Sequence, residues 1–181
     1  MQLDHLVVAA RTLDEGLTWC ESTLGIVPTA GGRHEFMGTH NRVFCIATPA
    51  WPLAYCEIIA IDPDAPAPGR PRWFALDTFD GPPRLLHWVA RCDDIDAARR
   101  SAIDAGRPDP GRVIDAARGD LRWRITVPDD GALVAPTLIQ WASRHPAAAL
   151  PPSGVELLHF EPQTLTAQLG TPLGAVTLTG S

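Results

Sequence analysis

A strand that carries a histidine and is followed by a helix occurs twice in this chain. The first copy is LDHLVVAA, with His5, and the helix after it starts with a Thr-x-x-Glu capping box at Thr12. The second copy is LLHWVAR, with His87, and an apolar-periodic helix follows it over residues 95–105. This repeat constrains the fold more than any other feature, because it predicts two modules of one architecture.

Each histidine is followed at nearly the same distance by a polar residue in an apolar strand. Glu57 in YCEIIAI lies 52 residues after His5, and Gln140 in TLIQW lies 53 residues after His87. Alone, His5 would more often be a hydrogen-bonded core histidine, and Gln140 could hydrogen-bond within the core. A buried glutamate, in contrast, needs a partner. The matched spacing therefore predicts that the four side chains share one pocket.

The rest of the chain gives each module the order strand, helix and three strands. We expect an α+β fold of two tandem βαβββ modules, residues 1–62 and 84–145, with a proline-rich linker at 63–83. RWFALDTF in that linker should reach back over the first module, and its aromatic residues should pack. Residues 146–181 are predicted to form a C-terminal β-α-β extension that covers a sheet edge or pairs subunits.

Composition excludes several classes of function. The net charge of −6 argues against a nucleic-acid surface, which needs a basic excess. No apolar run approaches the length of about 18 residues that a membrane span needs. The N-terminus lacks a signal-peptide pattern, and the four cysteines are widely spaced without a CxxC pair. We therefore expect a cytoplasmic protein whose partner is a small molecule.

Four polar groups that converge on one pocket could satisfy one another through a divalent cation. Imidazole and carboxylate suit Zn, Ni, Mn or Fe, and a carboxamide oxygen is a weaker, neutral ligand. The hypothesis is thus a metal held by His5, Glu57, His87 and Gln140. A satisfied polar core without any ligand is the weaker alternative.

A second group of candidates lies in THNR, which the sequence places at a turn between the second and third strands. His40, Asn41 and Arg42 combine an imidazole, an amide and a guanidinium, which could bind a substrate carboxylate or carbonyl. The alternative is a polar hairpin turn without a binding role. His34 and His145 are expected to be exposed.

The same residues carry a family resemblance. LDHLVV, a capped helix that ends in Leu-Gly, and CEII on the fourth strand resemble the vicinal-oxygen-chelate superfamily. GTHNR, EIIAIDP and TLIQW are similar to its glyoxalase-like domain proteins. The resemblance covers about residues 1 to 143 and implies paired βαβββ modules that form a half-barrel cleft, within one chain or across a homodimer. It also implies metal ligands at His5, Glu57, His87 and Gln140.

The function that the resemblance implies depends on Gln140, because glyoxalase I enzymes commonly have a glutamate there that moves a proton. A carboxamide cannot act as a general base, so Glu57 is the predicted catalytic residue. We expect metal-assisted isomerase or lyase chemistry on a small oxygenated molecule. A non-catalytic protein that binds or sequesters a small molecule is the alternative. A metal-dependent ring-cleaving dioxygenase is a weaker one, because its carboxylate belongs in the second module.

Overall fold

A computed structural model describes residues 1–180 of the chain. Its eight-stranded sheet curls into a half-barrel, and a second sheet has three strands. The first module consists of β1 (Gln2–Ala9), α1 (Leu13–Trp19), β2 (Thr29–His34), β3 (Thr39–Cys45) and β4 (Tyr55–Ile61). The second consists of β5 (Arg84–Arg91), α2 (Ile95–Asp104), β6 (Arg112–Arg118), β7 (Leu121–Val127) and β8 (Thr137–Trp141). The α+β class is confirmed.

Both helices begin where the sequence predicts a cap. The Thr12 hydroxyl accepts a hydrogen bond from the Glu15 backbone N–H at 3.1 Å, and the Asp94 carboxylate accepts one from the Ala97 N–H at 2.9 Å. The chain continues α1 as a π-helical turn, Cys20–Leu24, and stops at Gly25, whose φ of 71° is left-handed. None of the helices in residues 1–180 is both long and apolar enough to cross a membrane.

The two modules meet along an antiparallel pair of first strands. The order in the large sheet is β2-β3-β4-β1-β5-β8-β7-β6, so β1 and β5 lie at its centre. Val7 pairs with His87 and His5 pairs with Val89 across this junction. The two repeated histidine strands are therefore neighbours, and each carries its histidine near the middle of the half-barrel.

Two apolar cores lie on opposite sides of the large sheet. The concave side holds a cluster that includes Val7, Ile59, Val89, Ile125 and Ile139. The convex side holds a second cluster, which packs the sheet against α1 and the C-terminal strands and includes Leu6, Leu24, Phe44, Ile58, Leu157 and Leu169. Because apolar residues cover both faces, a polar side chain on either face must find a partner inside the protein.

The linker crosses the concave side as a strap, which we define as residues 71–79. Its 3-10 turn, Trp73–Thr78, buries Trp73, Phe74 and Leu76 in the concave core. Phe74 and Ala75 have φ values of 57° and 51°, in the left-handed region. The Ala75 N–H donates to the Gly131 carbonyl at 3.1 Å, which ties the strap to the second module.

The helix predicted in the C-terminal extension is wrong. The extension forms three antiparallel strands, β9 (Glu156–Glu161), β10 (Thr166–Thr171) and β11 (Gly174–Thr179), and the expected helical segment is a turn followed by β10. In β10, Ala167 and Leu169 are buried, whereas Gln168 between them is exposed. This alternation has the period of a strand and lets β10 pack on the convex core.

Candidate functional site

A cavity lies inside the half-barrel, under the strap. The space available to the centres of water-sized molecules is about 50 Å³, and the empty space counted out into the solvent at the mouth is about 550 Å³. The first volume has room for a few water molecules, so a larger ligand would extend into the mouth. The polar side chains of the lining are His5, His34, Asn41, Tyr55, Glu57 and Arg118. The aromatic ones are Trp73, Phe74, Trp123 and Trp141.

His5 and Glu57 meet in this cavity, as the sequence predicts. The Nε2 atom of His5 lies 3.5 Å from Oε2 of Glu57, and both side chains are almost completely buried. The Nδ2 group of Asn41 donates to the other oxygen, Oε1 of Glu57, at 2.5 Å. The Tyr55 ring stacks on the His5 ring, with the centroids 4.6 Å apart. These contacts fix a carboxylate and an imidazole together on the cavity wall.

Asp4 is a member of the site, although strict alternation along β1 would place it on the face opposite to His5. The pairing of β1 with β5 shifts register between Leu3 and His5, which leaves Asp4 as the extra residue of a β-bulge. As a result, Leu3 packs in the convex core, whereas Oδ1 of Asp4 lies 2.7 Å from Nδ1 of His5. Alternation along β1 therefore does not predict the face of Asp4, because a bulge interrupts it.

His145 and Trp141 complete the surroundings of Asp4. Trp141 Nε1–H donates to Oδ2 of Asp4 at 3.0 Å, and Nε2 of His145 lies 2.9 Å from the same oxygen. Because Nδ1 of His145 accepts from the Ala147 N–H, its Nε2 carries the proton and donates to Asp4. The side chain of His145 is only 9% exposed, so the expected exposure is wrong.

The pKa values of the buried groups make His5 a cation and its neighbours anions. Burial alone would lower the pKa of His5, but the hydrogen bonds and charges of Asp4 and Glu57 outweigh it and raise the pKa to about 9. Burial would likewise raise the pKa of Glu57, yet His5, His34 and Asn41 together lower it to about 2. The pKa of Asp4 also lies well below its ordinary value. At neutral pH the chain Asp4–His5–Glu57 therefore holds an imidazolium between two carboxylates.

His87 is buried on the concave side but does not line the cavity. Its Nε2 atom accepts the Thr137 backbone N–H at 3.3 Å and lies 3.0 Å from the Thr137 hydroxyl oxygen. Burial, together with the positive charge of His5, lowers the pKa of His87 to about 4, which leaves it neutral. The second repeated histidine is therefore bonded to its own module's fourth strand.

Gln140 lies on the opposite face of the sheet, so its predicted place in the pocket is wrong. Its Oε1 accepts the Ile95 N–H at 3.2 Å, and its Nε2 donates to the Asp93 carbonyl at 2.7 Å. Ile139 and Trp141, on either side of it, line the cavity instead. Side chains alternate along a strand, so the one-residue difference between spacings of 52 and 53 reverses the face.

This placement predicts a structural rather than a ligand-binding role for Gln140. We expect Gln140→Leu to lower the free energy of unfolding by about 1 kcal/mol, because the start of α2 loses a hydrogen-bond acceptor. Urea unfolding measures this, and the exposed Gln168→Leu is the control that should change little. Loss of ligand binding in Gln140→Leu, with stability unchanged, would contradict the prediction.

Of the three candidates in THNR, only Asn41 reaches the cavity. These residues belong to β3 rather than to a turn, since the turn lies earlier, at residues 35–38. His40 and Arg42 share the face of Phe44, which packs in the convex core, and neither lines the cavity. A cavity role for His40 and Arg42 is therefore wrong, because strand alternation allows only the middle residue to point inward.

His34 and Arg118 are site residues that the sequence did not indicate. His34 ends β2 and is 6% exposed, so the expected exposure is wrong. Arg118 ends β6 and brings its Nη1 to 3.0 Å from Nε2 of His34 and 3.4 Å from Oδ1 of Asn41. An added Cβ on Gly32 would lie 2.7 Å from the Arg118 side chain, so this glycine gives the arginine its space. The two modules thus meet a second time at the cavity.

The donor set does not fit the metal that the family resemblance implies. Nε2 of His87 is bonded to Thr137, and Gln140 faces away, so neither can join His5 and Glu57 as a ligand. In residues 1–180, no group of three or more His, Cys, Asp or Glu side chains is placed to hold a metal ion. Only His5 and Glu57 of the four predicted ligands come together, and two ligands do not make the three- or four-ligand sites of catalytic metals.

A comparison with protein families tests the family resemblance. The glyoxalase-like domain family matches residues 3–174, which is nearly the whole chain. The chain belongs to this family. The resemblance to the vicinal-oxygen-chelate superfamily is thereby confirmed, and the family match extends into the C-terminal strands. No curated protein matches the chain.

Solved structures of this fold are similar to the glyoxalase-like chain at low sequence identity. A hypothetical protein from Staphylococcus aureus is 13% identical, with a TM-score of 0.54 and coverage of 99% of this chain and 86% of the other. A methylmalonyl-CoA epimerase variant from Streptomyces coelicolor, in complex with 2-nitronate-propionyl-CoA, is 20% identical, with a TM-score of 0.51. That match covers 78% of this chain and 95% of the epimerase. At these identities the similarity establishes the fold alone.

Proposed function

We propose that the cavity binds a small carbonyl compound and that Glu57 moves a proton on the carbon next to the carbonyl group. The reaction class is isomerisation. The observation that carries this proposal is the pair of charged groups in one cavity, where Glu57 and His5 lie 3.5 Å apart. A carboxylate can take a proton from carbon, and an adjacent cation can stabilise the negative oxygen that results.

His5 supplies the cation. Asp4 holds its Nδ1 atom, so the ring cannot turn, and Nε2–H remains at the cavity. The 3.5 Å separation from Glu57 is longer than the ~2.8 Å of a close charge-assisted hydrogen bond, so a ligand oxygen can share this N–H. As the proton leaves carbon, its electron pair moves onto the carbonyl oxygen, where the imidazolium N–H donates to it.

Glu57 accepts the proton and returns it to the ligand. Its lowered pKa keeps it ionised at neutral pH and also makes it a weak base. The step therefore depends on how far the His5 cation lowers the pKa of the C–H group. Return of the proton to the same face of the same carbon restores the ligand, and return to the neighbouring carbon gives a positional isomer. In both cases Glu57 is regenerated.

A binding protein without catalysis is the second candidate, and one observation favours it. Both oxygens of Glu57 already have partners, namely His5 and Asn41, so the carboxylate is held in place before any ligand enters. Together with the aromatic walls, this arrangement suits retention of a small ligand. The epimerase of the same fold is crystallised with a small acyl-CoA analogue, which agrees with small-molecule binding in either case.

Glu57→Gln tests the proposal directly. We expect the unmodified protein to exchange the α-protons of hydroxyacetone or pyruvate with deuterium faster than the protein-free solution does. Glu57→Gln should lower that enzymatic rate at least about a hundredfold, because an amide cannot accept the proton. Proton NMR in D₂O measures the exchange. Glu156→Gln, at an exposed position of β9, is the control and should keep the full rate.

Two outcomes would reject catalysis. If Glu57→Gln exchanges as fast as the unmodified protein, Glu57 is not the base. If neither compound exchanges above the protein-free rate while one of them binds, the binding function replaces the isomerase.

A further inference from the structure

We propose that Arg118 and Trp73 form an anion-binding subsite in the cavity, and that the ligand is a small carboxylate such as a 2-oxo or 2-hydroxy acid. The carbonyl or hydroxyl part of this ligand rests on the proposed function, whereas the carboxylate part rests on the two residues alone. Nothing in the Asp4–His5–Glu57 chain requires an anionic ligand, so the subsite is an independent specificity element.

Arg118 is a cation that faces neutral partners. Its two side-chain contacts are the imidazole of His34 and the carboxamide of Asn41. Among residues 1–180 it forms no ion pair with a carboxylate, unlike Arg33, Arg72, Arg99 and Arg124. A guanidinium carries five N–H donors in a planar fork that matches a carboxylate. Arg118 therefore has free donors and no carboxylate from the described part of the chain bonded to it.

His34 positions Arg118 without neutralising it. The Nε2 atom of His34 accepts from Arg118, so the neutral ring carries its proton on Nδ1 and donates to the Thr39 hydroxyl at 3.1 Å. Burial lowers the pKa of His34 to about 4, in keeping with a neutral ring. A carboxylate at this position would have cancelled the charge of Arg118, whereas an imidazole keeps it available for a ligand.

Trp73 supplies an independent observation on the same wall. The residue is 4% exposed and lines the cavity, and its Nε1–H has no hydrogen-bond partner among residues 1–180. Its ring lies against His34, with the centroids 5.0 Å apart, so the indole and the guanidinium flank one imidazole. Buried donors are nearly always paired in native proteins, and a ligand oxygen would pair this one.

The position of the subsite relative to Glu57 fits a carboxylate that is bonded to the carbonyl carbon, one carbon away from the reacting C–H group. Asn41 spans the two, since its Nδ2 donates to Glu57 and its Oδ1 lies 3.4 Å from Arg118. A single carboxamide thus separates the guanidinium from the base. A ligand whose carboxylate binds Arg118 and Trp73 would place the next carbons of its chain close to His5 and Glu57.

Calorimetric titration with pyruvate and with 2,3-butanedione tests the subsite. The second compound keeps the ketone and replaces the carboxylate by a neutral acetyl group. We expect pyruvate to bind at least about tenfold more tightly than butanedione. Arg118→Gln should remove this preference, and Arg118→Lys, which keeps the charge and loses the fork, should keep part of it. Trp73→Phe should weaken pyruvate binding severalfold and leave butanedione binding nearly unchanged.

Matched controls separate the subsite from general charge and folding effects. Arg112→Gln removes an arginine from the exposed start of the same strand, β6, and Trp51→Phe removes an indole outside the cavity. Both should bind pyruvate like the unmodified protein, and circular dichroism verifies that each variant is folded. Equal affinity for the two compounds, no binding of pyruvate, or equal weakening in Arg112→Gln would each overturn the subsite.

The binding and exchange measurements distinguish failure of the subsite from failure of the isomerase activity. Binding of pyruvate does not require proton transfer, so a Glu57→Gln protein that still prefers pyruvate supports the subsite whatever happens to deuterium exchange. Conversely, exchange of hydroxyacetone without a preference for pyruvate supports the isomerase and rejects the subsite.

Discussion

Asp4→Ala is expected to lower the free energy of unfolding by about 3 to 5 kcal/mol, because it removes one of the two carboxylates that flank the buried His5 cation and leaves buried donors unpaired. Asp4 is completely buried and contacts three side chains: Oδ1 lies 2.7 Å from His5, and Oδ2 accepts from Trp141 and His145. Its removal leaves those three donors unpaired. Domains of this size are typically stable by about 5 to 15 kcal/mol, so the variant should be at the margin of folding.

Two further variants isolate this effect: a milder substitution at Asp4 and a control substitution at an exposed aspartate. Asp4→Asn keeps one oxygen acceptor but no charge, so it should lose less stability than Asp4→Ala while the pKa of His5 falls. Asp115→Ala, whose side chain is 92% exposed on β6, should change the free energy of unfolding by less than about 0.5 kcal/mol. Urea unfolding at pH 7 measures all three. A loss below about 1 kcal/mol in Asp4→Ala would show that the network does not hold His5.

The architecture was predictable because most strands and helices are determined by short, contiguous stretches of this sequence. LDHLVVAA and LLHWVAR form β1 and β5, and the caps at Thr12 and Asp94 start the two helices as predicted. The exception is β10, which stands where the sequence predicts the helix of a β-α-β extension. The alternation of buried Ala167 and Leu169 with exposed Gln168 is short. Six residues with two apolar positions do not distinguish the two-residue period of a strand from the 3.6-residue period of a helix.

The site was predictable only in part because side-chain direction depends on register. His5 and Glu57 come together because both strands are regular where they pair, with Val7 opposite Glu57. Neither residue of the second module reaches the cavity: His87 is bonded to Thr137, and a spacing of 53 places Gln140 outward, with Ile139 in the inward position. Nearly equal spacings identify the corresponding strands of the two modules, but they do not determine on which face of the sheet a side chain lies.

Other site residues depend on contacts between elements that are far apart in sequence. The bulge at Asp4 exists because β1 must pair with β5, so β1 alone gives no sign of it. Arg118 meets His34 across 84 residues, and Trp73 enters the cavity because the strap is anchored to Gly131. The glycine pair in TAGGR was one available signal, since an added Cβ on Gly32 would strike Arg118.

The stability of the protein is expected to peak near pH 6.5, because the buried histidines act in opposite directions on either side. The folded-state pKa of His5, about 9, lies above its ordinary 6.5, so its contribution is complete below pH 6.5 and is lost as the pH rises through 9. His34 and His87 have pKa values of about 4, so the contribution of their neutral forms is lost as the pH falls from 6.5 through 4. Glu57, with a pKa of about 2, adds a further loss only below pH 4.5.

The pH profile has an acid limb, the loss of stability below pH 6.5, and an alkaline limb, the loss above it. Each histidine contributes on the order of 3 kcal/mol to one of these limbs, since one pKa unit corresponds to about 1.4 kcal/mol and all three side chains are buried. Urea unfolding between pH 4 and 9 measures the profile. His87→Leu should make the acid limb shallower because one of its two titrating groups is gone, and His159→Leu, at an exposed position of β9, should leave the profile unchanged. The alkaline limb needs Asp4 as well as His5, so in Asp4→Asn it should end at lower pH and be smaller. A free energy of unfolding that keeps rising from pH 6.5 to 9 would mean that His5 is neutral in the folded protein, and it could then not supply the cation that proton transfer by Glu57 requires.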